Sequence, residues 1–153
     1  MQNEGTKVLA NNRRAKHEYF IEKILEAGIA LKGTEVKSVR QGHVSIQESY
    51  VDIYEGEAWI KGMHISPYEQ GNRYNTDPVR DRRLLLHKKE IRQLAQAIQR
   101  DGYTVIPLSV NLRGRHIKVD IALAKGKKLY DKRESLREAD DKRRIERTLK
   151  DWG

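Results

Sequence analysis

IPLSVNLRGRHIKVDIAL, residues 106–123, decides the fold. Ile106, Leu108, Val110 and Leu112 alternate with other residues, Arg113-Gly114-Arg115 turns the chain, and Ile117, Val119, Ile121 and Leu123 alternate again. Two period-2 runs around a glycine-containing loop predict a β-hairpin with one buried face. Pro107 suits the start of a strand or an edge, because it has no N–H to give to a ladder. Upstream, residues 46–54 (IQESYVDIY) and 57–61 (EAWIK) flank Glu55-Gly56 and predict a second hairpin. Between the hairpins, Ile91, Leu94, Ala95 and Ile98 form the apolar face of a helix over roughly 88–100, with Gly102 placed to end it.

Nearer the N-terminus, residues 33–40 (GTEVKSVR) read as a shorter helix, with Thr34 as the expected N-cap. Residues 17–31 fit two periods: Phe20, Ile21, Ile24 and Leu25 suit a helix, whereas Tyr19, Ile21, Lys23 and Leu25 alternate as in a strand. Five or six short strands with two or three helices point to a mainly β barrel. The segment 66–83 is expected to be a long loop, of the length that is usually functional or mobile.

The 153 residues carry 31 Lys and Arg against 22 Asp and Glu, a formal charge of +9. No apolar run approaches the ~18 residues needed to span a bilayer. With no cysteine in the chain, disulfide and thiolate-metal frameworks are excluded. MQNEGTKVLA lacks the features of a secretory signal, so the expected compartment is the cytoplasm.

Charge divides the chain near residue 125. Residues 1–124 hold 20 basic and 15 acidic side chains, and residues 125–153 hold 11 and 7. The first part, residues 1–124, is expected to be the folded barrel. The second is too poor in large apolar side chains to offset the ~1–2 kcal/mol per residue of backbone ordering. Opposite charges at helical spacing (Glu138 to Lys142, Asp140 to Arg144, Glu146 to Lys150) still favour a helix. A tail disordered when free and helical on a partner follows.

Catalytic signatures are weak. His17, His43, His64, His87 and His116 show no metal-ligand spacing, and neither a nucleophile elbow nor a phosphate loop is present. A nuclease assembled from Glu26, Glu35 and Asp77 is the remaining enzymatic reading; the expectation is no enzyme, no metal and no cofactor. The basic clusters are richer. Arg13, Arg14, Lys16 and His17 precede Tyr19 and Phe20; Arg80, Arg82 and Arg83 precede His87, Lys88 and Lys89; Lys125, Lys127 and Lys128 precede Lys132 and Arg133. Cations neutralise phosphate, and aromatic or imidazole faces stack on unpaired bases, so the pattern suits RNA. A general RNA binder or ribosome-associated protein satisfies the same pattern.

Four strings are more particular: NRRAKHEYFI at 12–21, EAGIALKGTEVKSVRQG at 26–42, DPVRDRRLLLHKKEI at 77–91 and AKGKKLYDKRE at 124–134. With ESY at 48–50 and HISPY at 64–68, they closely resemble the SsrA-binding, or small protein B (SmpB), family from about residue 7 onward. The resemblance implies an oligonucleotide-binding (OB) barrel that acts as a monomer. Its partner would be transfer-messenger RNA (tmRNA), grasped near the elbow of its tRNA-like part. Its task would be rescue of stalled ribosomes by trans-translation, with the tail entering the empty messenger channel near the decoding region of the small subunit. Carried over by position, the RNA contacts would be Asn12, His17, Glu26, Leu85, His87 and Lys118, supported by Arg80, Arg82 and Lys125 to Lys128. Asp131, Lys132 and Arg133 match the family's tail-entry motif, and Ile145 matches an apolar tail position. Thr76 stands where the family commonly has histidine, Asn111 where an aromatic is common, and Glu146 where a more apolar residue is common.

Overall fold

The hairpin expected at 106–123 forms, and it organises everything around it. The computed structural model describes residues 6–68 and 77–127. Among them the elements run β1 (Thr6–Asn11), α1 (Ala15–Glu18), β2 (Tyr19–Ile29), α2 (Gly33–Arg40), β3 (Val44–Ser45) and β4 (Tyr50–Tyr54). Then come β5 (Glu57–Lys61), β6 (His64–Ile65), β7 (Arg82–Leu85), α3 (Lys88–Asp101), β8 (Thr104–Arg113) and β9 (His116–Gly126). The ambiguous 17–31 segment resolves as one helical turn followed by the long strand β2. A strand wins there because β2 pairs with β9 from Tyr19↔Gly126 to Gly28↔Lys118.

The main sheet has the order β1-β8-β4-β5-β7-β2-β9, and β8 also pairs with β9, so the sheet closes on itself. All its pairings are antiparallel. Closure removes edges that would otherwise be open to foreign strands. This is the expected OB-like barrel with three helices. Inside lie Val51, Ile60, Leu84, Val105, Val110, Val119 and Ile121, closed over by Ile91 and Leu94 of α3. Each such side chain contributes ~1.5–3 kcal/mol on burial. Gly102 ends α3 in the left-handed conformation at φ 72°, as expected.

The hairpin differs from expectation in one respect. Ile106, Leu108, Val110 and Leu112 do not share a face, because the register of β8 against β9 shifts between Pro107 and Ser109. Val105 and Val110 point into the barrel, whereas Ile106 and Leu108 pack outside it with Ala15, Ala122, Ala124, Tyr19 and Ile21. A bulge inserts one residue and so exchanges the faces. It also houses Pro107 inside a paired strand. A matching shift in β2 lies between Ile21 and Lys23, so both neighbours of β9 bend.

Two smaller expectations are corrected. Lys32, not Thr34, is the N-cap of α2, and its N–H donates to Glu35 Oε1 at 2.8 Å. Of the arginines expected in the long loop, Arg82 and Arg83 instead open β7, while Arg80 lies before it.

Candidate nucleic-acid interface

Glu26, Leu85, His87 and Lys118 are scattered over the sequence, yet they line one groove of about 630 Å³, together with Gly28, Arg83 and Lys88. Strand pairing brings them there. Gly28 of β2 faces Leu85 of β7 on one side and Lys118 of β9 on the other. Leu85 approaches so closely that a Cβ on residue 28 would lie 3.2 Å from the Leu85 Cβ. The leucine is not core: it stays 47% exposed. His87 is the exposed N-cap of α3, and its N–H donates to Glu90 Oε1 at 3.0 Å. The first turn of a 14-residue helix therefore opens beside Lys118 and Arg83, a setting that favours phosphate.

Glu26 is held by Arg113, whose Nη1 lies 2.9 Å from Glu26 Oε2. The partner comes from β8, remote in sequence from β2. Arg113 Nη2 also reaches Asp120 Oδ2 at 3.5 Å, and that oxygen accepts from Asn111 Nδ2 at 3.2 Å and Ser109 Oγ at 3.4 Å. Glu26 and Asp120 are direct cross-strand neighbours, so Arg113 neutralises two facing carboxylates. Asn111 is buried in this network.

A second basic locus lies at the other end of the β2–β9 ribbon. Arg13, Arg14 and His17 are exposed on and before α1. Lys127 Nζ donates to the Lys16 carbonyl at 2.8 Å and stands 5.3 Å from the centre of the Phe20 ring. Lys125 Nζ stands 4.6 Å from the Tyr103 ring. Phe20 faces Lys125 and Gly28 faces Lys118, so the two loci are about 25 Å apart at ~3.3 Å per residue.

Three of the expected RNA contacts are engaged elsewhere. The Arg82 guanidinium is fully buried. Its Nε donates to Glu35 Oε2 at 2.7 Å, Nη1 to the Met63 and Arg80 carbonyls at 2.8 and 3.1 Å, and Nη2 to the Pro78 carbonyl at 3.0 Å. Arg82 is therefore corrected from an RNA contact to a structural residue. Arg80 clasps the same carboxylate, with Nε to Oε2 at 3.0 Å and Nη2 to Oε1 at 2.7 Å. Burial alone would raise the Glu35 pKa, but Arg80, the Lys32 N–H and Arg82 together hold it at about 2. That occupancy disposes of Glu35 as a nuclease ligand. Asn12 braces the β8 bulge: its Nδ2 donates to the Pro107 carbonyl at 3.1 Å and its N–H to the Leu108 carbonyl at 2.8 Å.

Thr76, Lys128, Asp131, Lys132, Arg133, Ile145 and Glu146 lie outside the described residues. Among the described residues, no group of three or more His, Asp or Glu could hold a metal ion. None of the described helices is long and apolar enough to cross a membrane.

Residues 9–151 match the family model described as SmpB protein. The SsrA-binding protein of Ruminiclostridium cellulolyticum is 53% identical over 151 residues, covering 99% of this chain and 98% of its own length. That of Caldicellulosiruptor bescii is 55% identical over 146 residues, covering 95% and 92%. A solved structure described as "tmRNA-SmpB: a journey to the center of the bacterial ribosome" superposes with a TM-score of 0.64 at 47% identity, covering 76% of this chain and 82% of the other.

Proposed function

Because this chain belongs to the SmpB family, we propose that it binds transfer-messenger RNA and assists the rescue of stalled ribosomes by trans-translation. It does so as a non-catalytic adaptor, in the cytoplasm and as a monomer. The observation that carries the reading is the groove in which Glu26, Leu85, His87 and Lys118 converge from three strands and a helix N-terminus. Cations and an open helix end take phosphate. Leu85 offers an apolar surface and His87 an imidazole face for an unpaired base. Glu26, fixed by Arg113, can accept from a base amino group. Such a surface recognises a folded RNA by shape more than by sequence.

The finer partner assignment concerns the ribosome. The tail expected from residue 125 begins later, because β9 continues through Gly126; residues 128–153 are proposed to fold as a helix in the vacant messenger channel of the small subunit, with Asp131, Lys132 and Arg133 at the entry and Ile145 on its apolar side. A basic segment that gains structure only on a polyanionic wall couples channel vacancy to binding. Competition tests the RNA assignment. Labelled tmRNA bound to the full chain should resist equimolar homopolymer RNA; displacement by the homopolymer would identify a general single-strand binder instead. With ~4–6 phosphates neutralised, log K should fall against log salt with a slope of about −3 to −5.

A further inference from the structure

A second concavity, of about 360 Å³, opens at the far end of the β2–β9 ribbon and is lined by Phe20, Glu22, Tyr103 and Lys125. Phe20 and Glu22 come from β2, Lys125 from β9, and Tyr103 from the residue after Gly102. The left-handed glycine turns the chain so that the Tyr103 N–H donates back to the Ala97 carbonyl at 3.2 Å, which fixes where the ring emerges. Neither aromatic ring belongs to a core cluster, although their neighbours Tyr19 and Ile21 do. Phe20 is 44% exposed. Desolvation and the Glu22 carboxylate, which accepts its hydrogen bond, push the Tyr103 hydroxyl's pKa upward.

Two half-open rings, one carboxylate and two lysines near the rings form an unusual combination. A metal ion would meet one carboxylate against two ammonium groups, and a hydrophobic peptide would meet a polar floor. An anionic ligand with a flat ring bearing N–H donors satisfies every group. We propose that this concavity is a stacking subsite for one unpaired base of single-stranded RNA, separate from the groove at Leu85 and Lys118. Phe20 and Tyr103 supply π faces, Glu22 accepts from the base edge, and Lys125 and Lys127 neutralise the flanking phosphates. Guanine is the preferred base, because its ring N–H and amino group present adjacent donors to one carboxylate. The base must be unpaired, since a partner base would occupy that edge. The inference rests on the RNA-binding reading, but the two sites are about 25 Å apart along β2.

Fluorescence anisotropy of the full chain with five-nucleotide RNAs, rich in G, A, C or U, tests it. The G-rich oligonucleotide should bind best, and Tyr103→Ala or Phe20→Ala should weaken it about five- to a hundredfold. Tyr103→Trp, which keeps a stacking face, should retain most of the affinity. Glu22→Gln should equalise the four oligonucleotides. Oligonucleotide binding that ignores both Phe20→Ala and Tyr103→Ala, or a Tyr103→Trp loss as large as the alanine loss, overturns the proposal. If Tyr103→Ala unfolds the barrel in a thermal melt, exposed Phe20→Ala decides alone. Failure of the tmRNA assignment reads differently: the folded RNA would then be displaced by homopolymer whatever stands at residues 20 and 103.

Discussion

Replacing Glu35 by glutamine should cost about 3 kcal/mol at neutral pH and almost nothing near pH 2. Glu35 is 3% exposed and Arg82 is fully buried, so solvent screens their contact little. Holding the carboxyl at about 2 against its ordinary 4.5 corresponds to about 3 kcal/mol of folding free energy. The sign follows from the direction. A depressed pKa in the folded state contributes fully above the unfolded value of 4.5, and that contribution disappears as pH falls through about 2. Breaking a buried ion pair from one side ordinarily costs ~3–5 kcal/mol, because the surviving charge is stranded. Arg82 keeps three backbone carbonyl partners in the variant, which places the expectation at the lower end of that range. In a fold of this size the loss should lower Tm by about 10 °C. Urea unfolding followed by circular dichroism, on parent and Glu35→Gln together, should show the gap between their midpoints closing from pH 5 to pH 2. A gap that stays constant across that window would mean the carboxylate's charge is not what holds the triad, and the reasoning fails.

The remaining expectations concern the RNA surface. Lys118→Ala should leave folding stability unchanged within about 0.5 kcal/mol yet reduce the salt slope of tmRNA binding by about 1, as titrations at several salt concentrations would show. Asn12→Ala should destabilise the fold by about 1 kcal/mol, because a bulge carbonyl loses its side-chain donor. Any loss of RNA affinity in that variant should therefore shrink when binding is measured well below its Tm. Truncation after Lys128 should preserve tmRNA affinity in a gel-shift assay and abolish tagging of stalled peptides in a reconstituted translation system.

Local patterning made the 106–123 hairpin, α3 and its glycine stop legible, because each depends on a period and a turn residue within one segment. The bulge was not legible, since apolar residues continue at period 2 straight through Pro107 and nothing in the string marks the extra residue. Arg82 shows the complementary failure. Arg80, Arg82 and Arg83 look equivalent as a basic run, and only the alternation of β7 sends Arg82 and Leu84 inward while Arg83 and Leu85 face out. Its buried partner, Glu35, lies 47 residues away. The groove was legible through family resemblance alone: residues 26, 85, 87 and 118 become neighbours only once β2 is known to pair with both β7 and β9. Arg113 and Gly28 were missed for the same reason, as each acquires its role from a strand that is remote in sequence.

The β2–β9 ribbon of this basic protein carries carboxylates as well as the two cationic loci. Glu26, on the side of the groove toward the Phe20 end, and Asp120 facing it are tied through Arg113, so that stretch of the ribbon offers phosphate no free cation from that cluster. Phosphates are therefore drawn to the ends, and the spacing of the ends is set by backbone geometry rather than by flexible side chains. The pairing of β2 with β9 holds that spacing, and the bulges in β2 and β8, the latter braced by Asn12, bend the ribbon without breaking its ladder. A rigid separation of about 25 Å between two attractive ends discriminates among RNA shapes. A uniformly basic strip would attract any polyanion equally, which is the behaviour the homopolymer competition distinguishes.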